Sequence, residues 1–262
     1  MKTALIGLGR IGWQYHLPQI VKHQGFELAA VVDTNPERLR EAEVAYGVRG
    51  YADAAEMLAK EAPELVVVAS PTVFHRQHAM DALRAGAHVF LDKPMACSLS
   101  EAREIVDRAR ACNRKLMVYQ PHRATAEAVA ARQVLESGLL GRVYMIRRAS
   151  NGYNRRADWQ AFEKNGGGML SNYGAHYIDQ LLYLTGGVPE EVRCWRMREV
   201  SLGDADDVVK VIIRTANGPL LDVDISQAAA LPAEPWLLLG TLGAAKLEKT
   251  DEGARFLVRY LK

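Results

Sequence analysis

The chain has 262 residues, 49% of them hydrophobic and 24% charged, which are ordinary proportions for one large or two modest globular domains and exclude a disordered or fibrous chain. Its 33 basic and 31 acidic residues leave a formal charge of +2, too small a surplus to point to a nucleic-acid or anionic-membrane partner. Cys97, Cys112 and Cys194 show no zinc or disulfide spacing, which fits a reducing, cytoplasmic setting. The apolar start soon meets Arg10 and has no cleavage site, so no signal peptide is expected. No apolar run reaches the ~18 residues of a membrane span.

Short apolar runs alternate with helical patterns from the first residues onward. Thr3–Gly7 reads as a strand, Ile11–Lys22 as a helix and Phe26–Val32 as a second strand ending at Asp33. Asn35 caps a helix that has Pro36 in its first turn and ends near Tyr46, where Gly47 stops it. A short helix, Ala54–Lys60, leads to the strand Leu65–Ala69. His75–Ala85 is a helix stopped by Gly86, and His88–Leu91 is the next strand. Ser98 and Ser100 introduce a helix through Ala111, and Leu116–Tyr119 is a further strand. Continuous apolar strands separated by helices predict a doubly wound parallel sheet covered on both faces, occupying residues 1–120.

The texture changes after Gln120-Pro121. Arg123–Ser137 reads as a helix, Arg142–Ser150 as a strand, and Gly166-Gly167-Gly168 introduces a helix through about Leu184. The remaining runs are strand-like: Val192–Met197, Val208–Thr215, Pro219–Ser226, Pro235–Leu239, Ala244–Glu248 and Phe256–Leu261. Tight turns such as Asn217-Gly218 predict hairpins, hence an α+β domain over residues 121–262 with an open, mostly antiparallel sheet.

Gly7-Leu8-Gly9-Arg10-Ile11-Gly12 fits G-x-G-x-x-G between the first strand and the first helix. In that setting Gly7 permits the turn, Gly9 lets the backbone approach a pyrophosphate and Gly12 allows close helix–strand packing. Asp33, 21 residues beyond Gly12, suits the hydroxyls of an NAD ribose and repels a 2′-phosphate. Arg38, one turn later, is able to reach such a phosphate, which keeps NADP as the alternative cofactor.

Two further segments complete a pattern. Ala85-Gly86-Ala87-His88-Val89-Phe90-Leu91-Asp92-Lys93-Pro94 and Gly166-Gly167-Gly168-Met169-Leu170-Ser171-Asn172-Tyr173-Gly174-Ala175-His176-Tyr177-Ile178-Asp179, with the glycine turn, resemble the Gfo/Idh/MocA oxidoreductases. Ser70-Pro71-Thr72 with His75 is similar to a further segment of that family, after its fourth strand. The resemblance implies an N-terminal Rossmann domain, a C-terminal domain for substrate and subunit contacts, and a bound nicotinamide cofactor. It implies hydride transfer at an alcohol of a sugar, cyclitol or related small molecule, in a homo-oligomer. It places the family's lysine on Lys93 and its histidine on His176. The family's intervening acid falls on Asn172, and Asp92 stands where glutamate is usual. Members are usually longer than this chain, so the resemblance implies a compact or truncated member.

Chemistry gives these residues independent sense. Oxidising CH–OH requires a base for the proton and a cation to steady the alkoxide. His176 suits the first task and Lys93 the second. Asn172, four residues before His176, offers a hydrogen bond without a charge. That departure also favours an alternative reading, a cofactor-binding sensor or regulator with impaired turnover. Tyr119, Gln120, His122 and Arg123 follow the last parallel strand, where such sheets place ligands. Arg123, Tyr153 and Trp159 are the candidate substrate contacts outside the catalytic set, with Trp159 suited to stacking on a sugar ring. Arg155-Arg156 reads as a solvated pair. His75 and His78, three apart, read as a surface pair rather than metal ligands, and Cys97 as a small buried residue.

Overall fold

Val66, Val67 and Val68 are all buried, although successive side chains of a strand point to opposite faces. Such a strand needs apolar cover on both sides, and it receives it in the first of two compact units, Met1–Tyr119 and Gln120–Lys262. The computed structural model describes residues 1–250 and 253–261.

The first unit holds six strands, β1 (Lys2–Ile6), β2 (Glu27–Val32), β3 (Arg49–Tyr51), β4 (Leu65–Val68), β5 (His88–Leu91) and β6 (Leu116–Val118). They form one parallel sheet in the order β3-β2-β1-β4-β5-β6. Its helices are α1 (Leu17–Lys22), α2 (Pro36–Tyr46), α3 (Ala54–Glu61), α4 (His75–Arg84) and α5 (Leu99–Ala111). Leu5, Val31 and Val67 pack with Leu17 and Ile20 of α1 and Ala42 of α2 on one face. Ile6, Val32, Val66, Val68 and Val89 pack with Met57, Leu83 and Ile105 on the other. Each fully buried side chain of this size contributes about 1.5–3 kcal/mol.

The caps follow the sequence. The Asn35 side chain accepts from Glu37 N, Asp53 from Glu56 N and Ser98 from Glu101 N. One strand escaped the sequence reading. The three-residue β3 pairs only with β2 and exposes Arg49, so it carries no apolar run.

The second unit carries α6 (Ala126–Glu136), α7 (Ala175–Thr185) and seven strands: β7 (Val143–Asn151), β8 (Val188–Met197), β9 (Val208–Ala216), β10 (Leu220–Ser226), β11 (Trp236–Gly240), β12 (Gly243–Thr250) and β13 (Gly253–Tyr260). Their order is β13-β12-β11-β7-β10-β9-β8, with every pair antiparallel except β7–β10. Leu221, Val223 and Ile225 stand opposite Ile213, Val211 and Val209, and all six side chains are buried. The intervening positions turn charge to the other face, where Asp222 accepts from Arg147 Nε at 2.9 Å. The helix expected over Arg123–Ser137 is interrupted at Thr125, whose extended backbone and side-chain bond to Ala128 N start α6 afresh. Among the described residues no helix is long and apolar enough to cross a membrane.

Candidate functional site

The glycine turn sits at the carboxyl end of β1. Gly7 has φ +99°, and a Cβ there would lie 2.6 Å from the Ala69 carbonyl oxygen. A Cβ on Gly12 would meet the Gly7 oxygen at 1.9 Å, whereas one on Gly9 would meet nothing within 4 Å. Two glycines are therefore required by the fold, and the third leaves its backbone open to another molecule. The helix that follows contains Arg10, exposed, and Ile11, half-buried.

Asp33 closes the turn from the side of β2. Its Oδ2 accepts from Leu8 N at 2.8 Å and its Oδ1 from Asn35 N at 2.9 Å. Each carboxylate oxygen retains acceptor capacity for a ribose hydroxyl. Arg38 Nη1 stands 3.5 Å from Oδ2 on an exposed side chain, a weak tether. The residues present thus fit a dinucleotide.

The first helix departs from expectation in its hydrogen bonding. Gly12–His16 is a π turn in which Leu17 N donates to Gly12 O. It carries His16 into the interior, 3.7 Å from Asp92 Oδ2 and edge-on to Phe90 and Tyr119. Sequence reasoning missed His16, because a single extra residue in a turn leaves no mark in composition.

Asp92, Lys93 and Pro94 follow β5. Asp92 is buried, and its Oδ1 accepts from Lys93 N at 2.7 Å; Lys93 is half-buried and the Lys93–Pro94 peptide is cis. Ser70, Pro71 and Thr72 follow β4, with Thr72 buried at the head of a 3₁₀ turn that runs into α4. The surface reading of the histidine pair is corrected. His75 is 1% exposed, with Nε2 2.8 Å from Ser70 O and Nδ1 2.9 Å from Pro94 O. His78 is half-buried against Ser70 Oγ at 2.9 Å. Burial lowers the pKa of both rings. Cys97, expected inside, is exposed, and its thiol is pushed up by partial burial and by Glu101, which makes it a poor nucleophile. Among the described residues no cluster of three His, Cys, Asp or Glu side chains is arranged to hold a metal.

In the second unit the glycine run is shaped by Asp206, which the sequence did not single out. Gly168 has φ +101°, and a Cβ on it would sit 2.6 Å from Asp206 Oδ1. Asp206 Oδ2 accepts from Leu170 N and its carbonyl from Met169 N. These bonds start a second π turn, Leu170–Gly174, with Ala175 N donating to Leu170 O. Asn172, buried in that turn, points its Nδ2 at Gln160 Oε1, 3.4 Å away.

His176 follows, also buried, with its ring stacked on His122 at 3.9 Å between centroids and 14° between planes. Gln180, one turn further along α7 and fully buried, donates to the His122 carbonyl and accepts from Arg148 Nε at 3.3 Å. The Arg148 guanidinium lies over Tyr177 at 4.3 Å and Trp236 at 4.8 Å; burial pulls its pKa down, and Tyr177 and Glu127 oppose that.

Arg123 is bound by Nε and Nη2 to both oxygens of Asp179, at 2.8 and 2.5 Å, and lies over Tyr183. Tyr153 is exposed beside Ala228, and Trp159 is 44% exposed in a 3₁₀ turn next to Gln160. Arg156 pairs with Asp158. The first unit thus gathers the glycine turn with Asp33, and separately links Ser70, His75, Asp92 and Lys93. In the second unit Asn172 meets Gln160, and one turn on His176 stacks on His122.

A doubly wound sheet with this turn and this acid is a dinucleotide-binding domain, here followed by a sheet-and-helix domain. Two family models match the chain: the oxidoreductase family with an NAD-binding Rossmann fold over residues 1–120, and the GFO/IDH/MocA C-terminal domain over residues 128–246. The chain belongs to the Gfo/Idh/MocA oxidoreductase family. It is 30% identical over 190 residues to the D-glucoside 3-dehydrogenase of Escherichia coli, covering 71% of this chain and 54% of that protein. It is 26% identical to the scyllo-inositol 2-dehydrogenase (NADP(+)) of Bacillus subtilis, covering 73% of this chain and 53% of that one. The chain therefore spans about half the length of these relatives. The WlbA dehydrogenase of Bordetella pertussis, solved with NADH and UDP-GlcNAcA, superposes with a TM-score of 0.84 at 27% identity, covering 94% of this chain and 73% of that one.

Proposed function

We propose that the chain is an NAD-dependent oxidoreductase that transfers hydride between nicotinamide and the CH–OH or C=O group of a sugar, cyclitol or sugar derivative. The observation that carries the reading is the Gly7–Gly12 turn, open at Gly9, with the Asp33 carboxylate fixed beside it by Leu8 N and Asn35 N. A bound nicotinamide supplies the hydride acceptor or donor. Gly7, Gly9, Arg10, Ile11 and Gly12 form the pyrophosphate cradle, and Asp33 takes the ribose hydroxyls. Ser70, Pro71 and Thr72 border the same cofactor, with His75 and Asp92 behind them.

In the oxidation direction the substrate carbon gives up hydride and its hydroxyl gives up a proton. His176 accepts the proton, Lys93 steadies the oxyanion and Asn172 orients the imidazole with a neutral hydrogen bond. Arg123, Tyr153 and Trp159 belong to the substrate side, Arg123 by fixing α7 through Asp179. The dehydrogenases of glucosides and inositols among the relatives support the substrate class. The domain division at about residue 120, a cytoplasmic setting and a homo-oligomer held through the second domain belong to the same proposal. One relative's name prints NADP(+), so both cofactors belong in the test. Titration with NADH and NADPH, then NAD⁺ reduction with a panel of cyclitols, glucosides and sugar nucleotides, tests the reading. Tighter NADPH binding overturns the cofactor assignment, and NADH binding without turnover of any alcohol or matching ketone overturns the enzyme.

A further inference from the structure

His75 binds two loops at once. Its ring is 1% exposed, its Nε2 meets the Ser70 carbonyl at 2.8 Å and its Nδ1 meets the Pro94 carbonyl at 2.9 Å. Ser70 follows β4 and Pro94 follows β5 by three residues, so this side chain joins the loops that follow two paired strands. The Pro94 carbonyl belongs to the residue after Lys93, whose own N–H is tied to Asp92 Oδ1. Main-chain bonds on both sides of Lys93 therefore limit where its side chain begins.

We propose that His75 is a positioning residue for Lys93: one buried imidazole fastens the Ser70 carbonyl to the Pro94 carbonyl, with one bond when the ring is neutral and two when it is charged. This rests on the reading of Lys93 as the cation that steadies the oxyanion. The charge dependence follows from the donors. A carbonyl only accepts, and a neutral imidazole has one N–H, so its other nitrogen turns a lone pair toward an oxygen. Protonation replaces that repulsion by a second, charge-assisted bond.

The groups around the ring decide when this occurs. Burial is the largest influence and sets the His75 pKa below the ordinary imidazole value. The Ser70 and Pro94 carbonyls, Asp92 and the Met95 main chain pull the other way. On its own helix His78 faces it through Ser70, with Asp81 and Asp53 acting on His78, while Arg76 is turned outward to Glu104 of α5. Burial therefore favours the neutral ring, and the second fastening forms only as pH falls below the ordinary imidazole value.

The test observes Lys93 directly and needs no substrate. The full chain, saturated with NADH, is reductively methylated with ¹³C-formaldehyde, which keeps the lysine charge, and the Lys93 dimethyl signal is assigned with Lys93→Arg. In the wild type this signal should move in a step as pH is lowered, with its midpoint below the ordinary imidazole value. In His75→Gln the step should vanish, and in His75→Leu the signal should also narrow and approach those of exposed lysines. Where His75→Leu does not fold, His75→Gln, which keeps one donor and a similar size, carries the comparison. A Lys93 signal that follows the wild type at every pH in His75→Gln overturns the proposal. A signal that responds as expected, in a protein whose Lys93→Met variant turns over normally, leaves the fastening in place and removes the role of Lys93 instead.

Discussion

Replacing Asp33 separates the two tasks of one carboxylate. Its oxygens accept from Leu8 N at 2.8 Å and Asn35 N at 2.9 Å, and its side chain is 8% exposed. Hydrogen bonds to a charged group contribute roughly 1.5–3 kcal/mol each, so Asp33→Ala should lower the unfolding free energy by about 3 kcal/mol or more. Asp33→Asn keeps one acceptor oxygen but sets its amide against the second N–H, and should lose about half as much. The ribose bond makes a separate contribution. Its loss should weaken NADH binding by about 10–100-fold, while NADPH, no longer repelled at its 2′-phosphate, should change little. Urea unfolding gives the first quantity and tryptophan quenching with each dinucleotide gives the second. A variant that loses the expected stability yet keeps the wild-type ratio of NADH to NADPH affinity would show that Asp33 only holds the turn.

Gly9→Ala should fold normally, because its Cβ meets nothing within 4 Å, yet lose NADH affinity; Gly12→Ala, with a Cβ 1.9 Å from the Gly7 oxygen, should lose both, as melting curves and quenching would show. Lys93→Met should reduce kcat by ~10²–10³ with NADH affinity little changed, the range for removing one electrostatic stabiliser. Asn172→Asp should favour the charged imidazole at His176 and move the acidic limb of the oxidation profile to higher pH, and His176→Ala should remove most of that limb. His75 and His78 are held below the ordinary imidazole value chiefly by burial, so the unfolded chain takes up protons first as pH falls. Stability should be full above about pH 6.5 and decline below it toward the lowered folded values, with a shallower decline in His75→Gln; urea unfolding that is flat across this range would contradict the burial argument.

What the sequence made legible was whatever depends on local pattern. Val66-Val67-Val68 is apolar throughout because the sheet is covered on both faces, and the run marks its strand without ambiguity. The caps at Asn35 and Ser98 and the glycine turn are equally local. Features set by partners far along the chain were not legible. The strand Arg49–Tyr51 exists because β2 offers it an edge, not because its own residues are apolar. The start of β8 at Val188 rather than Val192 reflects pairing with β9 across an irregularity near Pro189, on an edge strand with almost every side chain exposed. Both π turns come from a local shift of main-chain hydrogen bonds, which a side-chain pattern does not record. His75 looked like a surface residue because its partners are carbonyls from two other segments, and main-chain oxygens leave no trace in a sequence. The resemblance supplied Lys93, Asn172 and His176; within the second unit, Gln160 beside Asn172, Asp206 at the start of its turn and Gln180 further along α7 became visible only with the fold.

The most direct test of hydride transfer compares wild type and Lys93→Met with NAD⁺ and a panel of cyclitols, glucosides and sugar nucleotides that carry free secondary alcohols, following NADH fluorescence. At least one alcohol should yield NADH with the wild type, at a rate ~10²–10³ higher than with the variant. Tight NADH binding by both proteins, with no member of the panel oxidised and no corresponding ketone reduced, would contradict the account and leave a protein that binds the cofactor without using it.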